Sequence, residues 1–450
     1  MTVDMFKKDV FNKNISVIGM GISNRPLIKY LVSLGANVTA YDMRTPDKLG
    51  EIYDEFSALG VKIVTGENYL DDLSGEIIFK TPGLRFDHPA LLSAKEKGSV
   101  ITSEMEVFFD ICPANIIAVT GSDGKTTTTT LIHKMMTEQG YNTYLGGNIG
   151  NPLLTEAENM KDSDWVILEL SSFQLHTIKK SPKIAVITNI TPNHLDVHKD
   201  YQEYIDAKKN IMLYQNENDK LIVNRSNEQT NKIGDEAKGK LTEFSSKEDA
   251  YITLKDGKII RDGKAVLDVA DIKIPGMHNV ENYMAAIGAV EGLVDDDVIV
   301  KIAKTFGGVD HRIELVRVLD GVSYYNSSID SSPNRSINTL NVFKEKVIMI
   351  AGGKDKGIPY DEIGPALCEK VKTLILIGKT ADKIEDALIK AGGNDVPVIR
   401  CESYPEVVNT ARSIAKEGDT VLLSPASTSF DMFANFEERG NLFKKLVNEL

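Results

Sequence analysis

Ile116-Ile117-Ala118-Val119-Thr120-Gly121-Ser122-Asp123-Gly124-Lys125-Thr126-Thr127 passes from an apolar strand through a glycine turn into a helical stretch. A strand–glycine loop–helix unit of this kind holds phosphate. The glycines let successive backbone N–H groups turn toward one anion, and the helix N-terminus adds positive potential. Lys125 is then expected at the β/γ-phosphates and the Thr126 hydroxyl at Mg²⁺. The common G-x-x-x-x-G-K-[ST] pattern asks for glycine at 119, where this chain has Val119; the first glycine is displaced to Gly121, giving G-x-x-G-K-T.

Outward from the loop, Trp165-Val166-Ile167-Leu168-Glu169 and Ile184-Ala185-Val186-Ile187-Thr188-Asn189 read as further buried strands of one parallel sheet. Glu169 ends its strand beside the loop, where a carboxylate can hold Mg²⁺. His194, in Asn189-Ile190-Thr191-Pro192-Asn193-His194-Leu195-Asp196, follows the next strand into the same crevice, whereas His198 reads as a loop residue. The Asp256-Gly257 and Asp262-Gly263 turns mark a small antiparallel patch attached to this block.

On the N-terminal side, Ile15-Ser16-Val17-Ile18, Gly19-Met20-Gly21, a helix to about Leu34 and Val38-Thr39-Ala40-Tyr41-Asp42 make a βαβ unit. Its glycine turn starts like a dinucleotide fingerprint, and Asp42 stands where a ribose-binding acid would. Asn24 replaces the third glycine. On the C-terminal side, Val347–Ile350, Thr373–Ile377 and Thr420–Leu423 read as a third parallel sheet after the Gly307-Gly308-Val309 junction. The fold class is α/β, three units in tandem.

Bulk properties agree. A length of 450 residues, at roughly 150 per domain, allows about three domains. There are 52 basic and 65 acidic residues, a net charge of −13. That argues against a protein that coats nucleic acid or anionic membrane. Cys112, Cys368 and Cys401 are scattered, so no disulfide framework is expected. The start Met1-Thr2-Val3-Asp4-Met5-Phe6-Lys7-Lys8 lacks the apolar core of a secretion signal, and a cytoplasmic location is expected.

Three weaker features remain. Lys208 and Lys209 lie on a helix from Tyr201 to Tyr214 and by composition read as a solvated face. Asn279 and Asn282 open another helix, three residues apart on one face, as caps or as amides for a ligand. Arg312, in Gly307-Gly308-Val309-Asp310-His311-Arg312, either clamps phosphate or pairs with an acid.

Taken in order, the Gly121–Thr126 loop, Glu169-Leu170-Ser171-Ser172-Phe173-Gln174-Leu175, the Asn189–Asp196 string, the Ala207-Lys208 helix, His278-Asn279-x-x-Asn282 and Asp310-His311-Arg312 resemble the ATP-dependent Mur ligases of peptidoglycan synthesis. The Gly147-Asn148-Ile149-Gly150 turn and the tail Leu423–Gly440 extend the resemblance over essentially the whole chain. The branch it most resembles joins D-glutamate to UDP-N-acetylmuramoyl-L-alanine in cell-wall synthesis.

The resemblance implies a Rossmann-like UDP-substrate domain over 1–107, a P-loop ATPase-like domain over 108–309 and a Rossmann-like amino-acid domain over 310–450. It implies catalytic roles for Lys125, Glu169, His194 and Lys208. Gly121, Ser122, Asp123, Gly124, Lys125, Thr126, Thr127, Asn282 and Arg312 would bind ATP. Thr126, Glu169, His194 and a CO₂-carbamylated Lys208 would hold Mg²⁺, two ions in all. Gly21, Ile22, Ser23, Asp42, Arg44, Thr81, Pro82, Gly83 and Asn148 would receive the UDP substrate. Lys356, Ser429 and Phe436 would receive D-glutamate. The partners implied are these small molecules, with neither nucleic acid nor membrane, and a monomer is expected.

One stretch departs from the family. Many members read Asn-Asp-Ser-Lys-Ala-Thr-Asn where this chain has Asn326-Ser327-Ser328-Ile329-Asp330-Ser331-Ser332-Pro333-Asn334-Arg335. The family aspartate becomes Ser327 and the lysine Ile329, with Asp330 and Arg335 as candidates to supply equivalent charges. Of the competing readings, a NAD-linked oxidoreductase using the Gly19 turn leaves the loop, Glu169 and His194 unexplained. A non-catalytic ATP-binding regulator would need its acidic metal ligands damaged. Sister ligases that add another amino acid to a muramoyl precursor, or glutamate to folate, are closer.

Overall fold

The computed structural model describes residues 1–21, 24–150, 152–193, 197–355 and 357–450. Ile22, Ser23, His194 and Lys356, all expected site residues, lie outside the described residues. The chain falls into two compact units, residues 1–271 with 277–303, and 272–276 with 304–450. Among the described residues the strands form three sheets.

The first unit holds two of them. One is a five-stranded parallel sheet in the order Lys62–Thr65, Asn37–Asp42, Asn14–Ile18, Ile77–Phe79 and Val100–Thr102. The other has nine strands. From Thr143–Gly147 it runs through Trp165–Glu169, Asn115–Thr120, Ile184–Ile187, Lys220–Asn224 and Lys240–Ser245 to Ile252–Lys255, all parallel. Lys258–Arg261 and Lys264–Asp268 then add antiparallel pairs across the Asp256-Gly257 and Asp262-Gly263 turns. The expected antiparallel patch is therefore the edge of the central sheet itself. Ile184–Ile187 is shorter than expected: Thr188 still donates its N–H to the Thr120 carbonyl at 3.0 Å, but its hydroxyl and Asn189 turn to hold the glycine loop.

The third sheet lies in the second unit, ordered Glu314–Leu319, Val322–Asn326, Thr420–Leu423, Val347–Ala351, Val371–Leu376 and Val398–Arg400. It is not wholly parallel, as was expected: Glu314–Leu319 pairs antiparallel with Val322–Asn326. The short Asp320-Gly321 connection allows a hairpin, whereas a parallel neighbour requires a crossover of a dozen or more residues. Cys112, Cys368 and Cys401 are all free thiols. Among the described residues no helix is long and apolar enough to cross a membrane.

Helix Lys125–Gln139 begins at Gly124 and ends at Gly140, both left-handed, with φ of 78° and 103°. Its start is a run of five threonines, poor helix formers. Thr129 and Thr130 return their hydroxyls to the carbonyls of Lys125 and Thr126 at 2.8 and 2.7 Å. Burial of Thr128, Leu131, Ile132, Met135 and Met136 supplies the stability that propensity does not.

A charged cluster ties the loop after Pro82-Gly83 to helix Tyr201–Leu213, the helix that carries Lys208. The Arg85 guanidinium donates to both Asp87 carboxylate oxygens, to both oxygens of Glu203, and to the Val197 carbonyl at 2.8 Å. Arg85 holds the Glu203 carboxyl down to about 2 and that of Asp87 well below its usual range. Arg85→Ala is expected to destabilise the protein by about 2–3 kcal/mol at neutral pH, the weight of charge-assisted bonds left unmade. Because the folded carboxylate pKa is depressed, that contribution is complete above the unfolded value of about 4.3 and fades as pH falls toward 2. Urea titrations of both proteins between pH 7 and pH 3 check this; a difference that does not shrink at low pH would contradict it.

Candidate functional site

The glycine loop is assembled from two strand ends. Asn115–Thr120 leads into Gly121, and the chain after Ile184–Ile187 clamps the loop from the side. Asn189 accepts the Ser122 N–H on its carbonyl at 2.8 Å and the Asp123 N–H on Oδ1 at 3.0 Å. Thr188 donates its hydroxyl to the Asp123 carbonyl at 2.6 Å. Lys125 folds its ammonium back onto the carbonyls of Gly121 and Ser122, at 3.0 and 2.8 Å. A cation so placed sits over the hollow that a phosphate would fill.

Gly124 is needed twice over: its φ is +78°, and a Cβ there would stand 2.2 Å from Asn282 Oδ1. Asn282 thus lies directly against the loop. It donates to Asn279 Oδ1 at 3.1 Å, so the two amides do share one face of helix Met277–Val290.

Glu169 is 2% exposed at the end of its strand. Oε1 accepts from Asn148 Nδ2 at 2.8 Å, while the buried Oε2 has no hydrogen-bond partner among the described residues. A buried carboxylate oxygen without a donor is costly unless a cation completes it. Gly147 makes the approach possible, since a Cβ there would meet the Glu169 carbonyl at 2.2 Å. Thr126, 8% exposed, opens the neighbouring helix. Among the described residues there is no cluster of three or more His, Cys, Asp or Glu that could hold a metal; a cation here would draw on Glu169, the Thr126 hydroxyl and groups outside that set.

Lys208 overturns the reading from composition. It is 2% exposed rather than solvated, with Nζ donating to the Gly121 carbonyl at 2.7 Å and lying 4.7 Å from the centre of the Tyr204 ring. Burial pushes its ammonium well below the ordinary lysine value; Lys125 adds to this, and Glu169 and Asp123 oppose it. Lys209, on the other side of the helix, pairs with Glu236 as a surface lysine does. The sequence pattern did not single out Tyr204, whose hydroxyl lies 2.9 Å from Ser122 Oγ. Its position four residues before Lys208, on the same helix face, was the available signal.

In the first sheet Asp42 is 5% exposed and already engaged. It accepts the Met20 N–H at 2.8 Å and a two-pronged contact from Arg44 at 2.9 and 2.7 Å. Burial opposes the charge, but the Arg44 guanidinium and the Met20 N–H outweigh it and hold the carboxyl below its usual range. Gly19 packs on Thr81, so the Gly19–Gly21 turn and the Thr81-Pro82-Gly83 turn lie side by side.

In the second unit Asp330 is buried and bonded by Ser424 Oγ at 2.8 Å. Burial raises its pKa, against hydrogen bonds from Ser327, Ser424 and Thr339 and the field of Arg312. Arg335 is spent on the Ile329 carbonyl at 3.1 Å. The two charges suggested for the departing stretch therefore diverge, one inward and one toward solvent. Ser429 is 2% exposed, and Phe436 opens the last helix with its carbonyl accepting from Ser328 Oγ at 2.8 Å. Arg439, within the Leu423–Gly440 tail but given no role from sequence, is fully buried and donates to the carbonyls of Ser328 and Ser427 at 2.7 and 3.0 Å.

Comparison with known proteins agrees with this architecture. The description "Mur ligase MurD-like, N-terminal domain" matches residues 13–103, "Mur ligase middle domain" residues 119–290, and "Mur ligase, glutamate ligase domain" residues 311–427. A UDP-N-acetylmuramoylalanine–D-glutamate ligase of Acetivibrio thermocellus is 55% identical, covering 99% of this chain and 98% of that one. The protein of the same name from Ruminiclostridium cellulolyticum is 55% identical, over 100% and 99%. Among solved structures, a UDP-N-acetylmuramate–alanine ligase of Thermotoga maritima superposes with a TM-score of 0.58 at 20% identity, covering 97% of this chain and 99% of that one. MurF of Acinetobacter baumannii gives 0.58 at 15%, over 100% and 93%. At those identities the structural likeness concerns the fold; the three domain matches and the full-length relatives go further, and by them the chain belongs to the Mur ligase family.

Proposed function

We propose that the chain is an ATP-dependent amide ligase that joins D-glutamate to UDP-N-acetylmuramoyl-L-alanine in peptidoglycan synthesis. The observation that carries this reading is full-length identity of 51–55% to relatives bearing that ligase's name, over a chain whose glycine loop, Glu169 and Lys208 converge as described above.

The alanyl carboxylate attacks the γ-phosphoryl group of ATP, forming an acyl phosphate and releasing ADP. The D-glutamate amine then attacks the acyl carbon and loses a proton, and inorganic phosphate leaves. Loop N–H groups from Gly121 to Thr127 cradle the phosphates. Lys125 exchanges its two carbonyl partners for phosphoryl oxygens, so that its charge meets charge developing there. Glu169, Thr126, His194 and a carbamylated Lys208 would hold Mg²⁺, which supplies neutralisation of the phosphoryl oxygens. Asn282 and Arg312 contact ATP.

Gly21, Ile22, Ser23, Asp42, Arg44 and Thr81–Gly83 receive the UDP end. Asp42 acts here through the turn it closes and the guanidinium it orients. Asn148 faces the muramoyl part, and Lys356, Ser429 and the backbone at Phe436 receive D-glutamate. The three jobs divide over 1–107, 108–309 and 310–450, in a cytoplasmic monomer. Holding both reactants aligned is worth about 7–11 kcal/mol of barrier in favourable cases.

Phosphate release from ATP with UDP-N-acetylmuramoyl-L-alanine, measured across D-glutamate, L-glutamate, L-lysine and D-alanyl-D-alanine, tests the assignment. Release with D-glutamate alone is expected. Release with another amino acid instead would move the chain to a sister reaction, and none with any would overturn the reading.

A further inference from the structure

Lys80 is 4% exposed, and its ammonium has neither a hydrogen bond nor an ion pair among the described residues. Burial lowers its pKa, with only the field of Glu106 opposing. Glu106, whose buried Oε2 also lacks a hydrogen-bond partner among the described residues, is the carboxylate set against it; a largely desolvated ammonium with no hydrogen bond of its own is costly to the fold and open to a bound anion.

Its position says which anion. Lys80 directly follows strand Ile77–Phe79, which lies beside Asn14–Ile18, while Asn37–Asp42 lies on that strand's other side. The chain order reverses between Asn14–Ile18 and Ile77–Phe79, and ligands of open α/β sheets bind beyond the carboxyl ends of strands at such a point. The glycine turn at Gly19 and the Thr81–Gly83 turn meet there. Lys80 lines a cavity of about 20 Å³ with Asn24, Pro82, Ser103, Glu104, Gly147 and Gln174, room for one water-sized group such as a phosphoryl oxygen. Glu104 does not compete for the ammonium: its Oε1 accepts the Leu154 N–H at 3.1 Å, and burial pushes its carboxyl up to about 7.

We propose that Lys80 binds the diphosphate of the uridine-diphosphate substrate, reaching one phosphoryl oxygen from the floor of this cavity. The assignment rests on the proposed ligase reading for the substrate's identity. A lysine kept for a ligand differs from one kept for the fold: replacing it by an apolar side chain of similar length removes a desolvated charge and does not weaken the unliganded protein.

The test uses the full chain carrying Lys80→Met, with calorimetry of UDP, of UDP-N-acetylmuramoyl-L-alanine and of ATP–Mg²⁺, beside thermal unfolding without ligand. Affinity for both uridine nucleotides is expected to fall roughly 10- to 100-fold, the weight of one charge-assisted hydrogen bond. ATP affinity is expected to hold, the midpoint of unfolding to stay level or rise, and KM for the nucleotide substrate to rise more than kcat falls. Wild-type affinity for UDP in Lys80→Met would overturn the proposal. So would a parallel loss of UDP and ATP binding with a lower midpoint, the signature of a structural lysine. Lys80-dependent UDP binding in a protein that releases phosphate with none of the four amino acids would leave this assignment standing and remove the ligase reading.

Discussion

Lys208→Ala is expected to lose activity by a factor of about 10³ or more, several kcal/mol of charge stabilisation at tenfold per 1.4 kcal/mol. Lys208 lies against the glycine loop with its ammonium on the Gly121 carbonyl, and burial with Lys125 nearby favours the neutral amine. On the proposed reading the neutral amine attacks CO₂: the N–C bond forms, one proton leaves, and the uncharged side chain becomes an anionic carbamate able to face a metal. Three results are expected together. Bicarbonate depletion lowers the wild-type rate and resupply restores it. The dependence on bicarbonate steepens as pH falls and more of the amine is protonated. Short carboxylic acids partly rescue Lys208→Ala by filling the space with a carboxylate. Full activity in Lys208→Ala would end the idea, and loss without rescue or bicarbonate dependence would reduce Lys208 to a prop for the loop.

Glu169→Gln is the second large effect, at about 10²–10³-fold in rate. The substitution is nearly isosteric, and a glutamine Oε1 can still accept from Asn148 Nδ2 as Glu169 does at 2.8 Å. What disappears is the negative charge and the open Oε2. The Mg²⁺ concentration for half-maximal rate is therefore expected to rise while the unfolding midpoint stays level or increases, because a buried carboxylate with one unpartnered oxygen stabilises nothing by itself. Titrating Mg²⁺ against phosphate release in both proteins decides it; a wild-type rate at the wild-type Mg²⁺ requirement would remove Glu169 from the metal site.

The parts legible from sequence were those in which chemistry is written locally. The loop from Gly121 to Thr126, with its flanking strand and helix, depends on a dozen consecutive residues. Asn279 and Asn282 were placed on one face by helix periodicity alone. Lys208 was not legible from composition. Its neighbours Asp206, Lys209 and Asn210 describe a polar helix, and its burial comes from Thr120 and Gly121, more than 80 residues away. Arg85 and Lys80 escaped notice for the same reason: their environments come from Glu203, Val197, Glu106 and Gly147, none of them near in the chain. The antiparallel hairpin that opens the third sheet was legible as well, since Asp320-Gly321 carries the same turn signal as Asp256-Gly257 and Asp262-Gly263; it was passed over beside the longer apolar runs that follow.

By itself, then, the sequence determined three α/β units, a strand–glycine loop–helix with its lysine, a strand-end carboxylate, and the order of motifs that marks the family. The first three follow from spacing of one to four residues, or from period-two and period-3.6 patterns that backbone geometry enforces; the last is a resemblance to known proteins, which the full-length relatives bear out. The tertiary structure decided which of several similar lysines is desolvated and that Glu169 keeps an open oxygen. Those, with the pairing of Asp42 to Arg44 and the Met20 N–H, are properties of dielectric and partnership. Both are set by what packs from elsewhere in the chain, and no local pattern carries them.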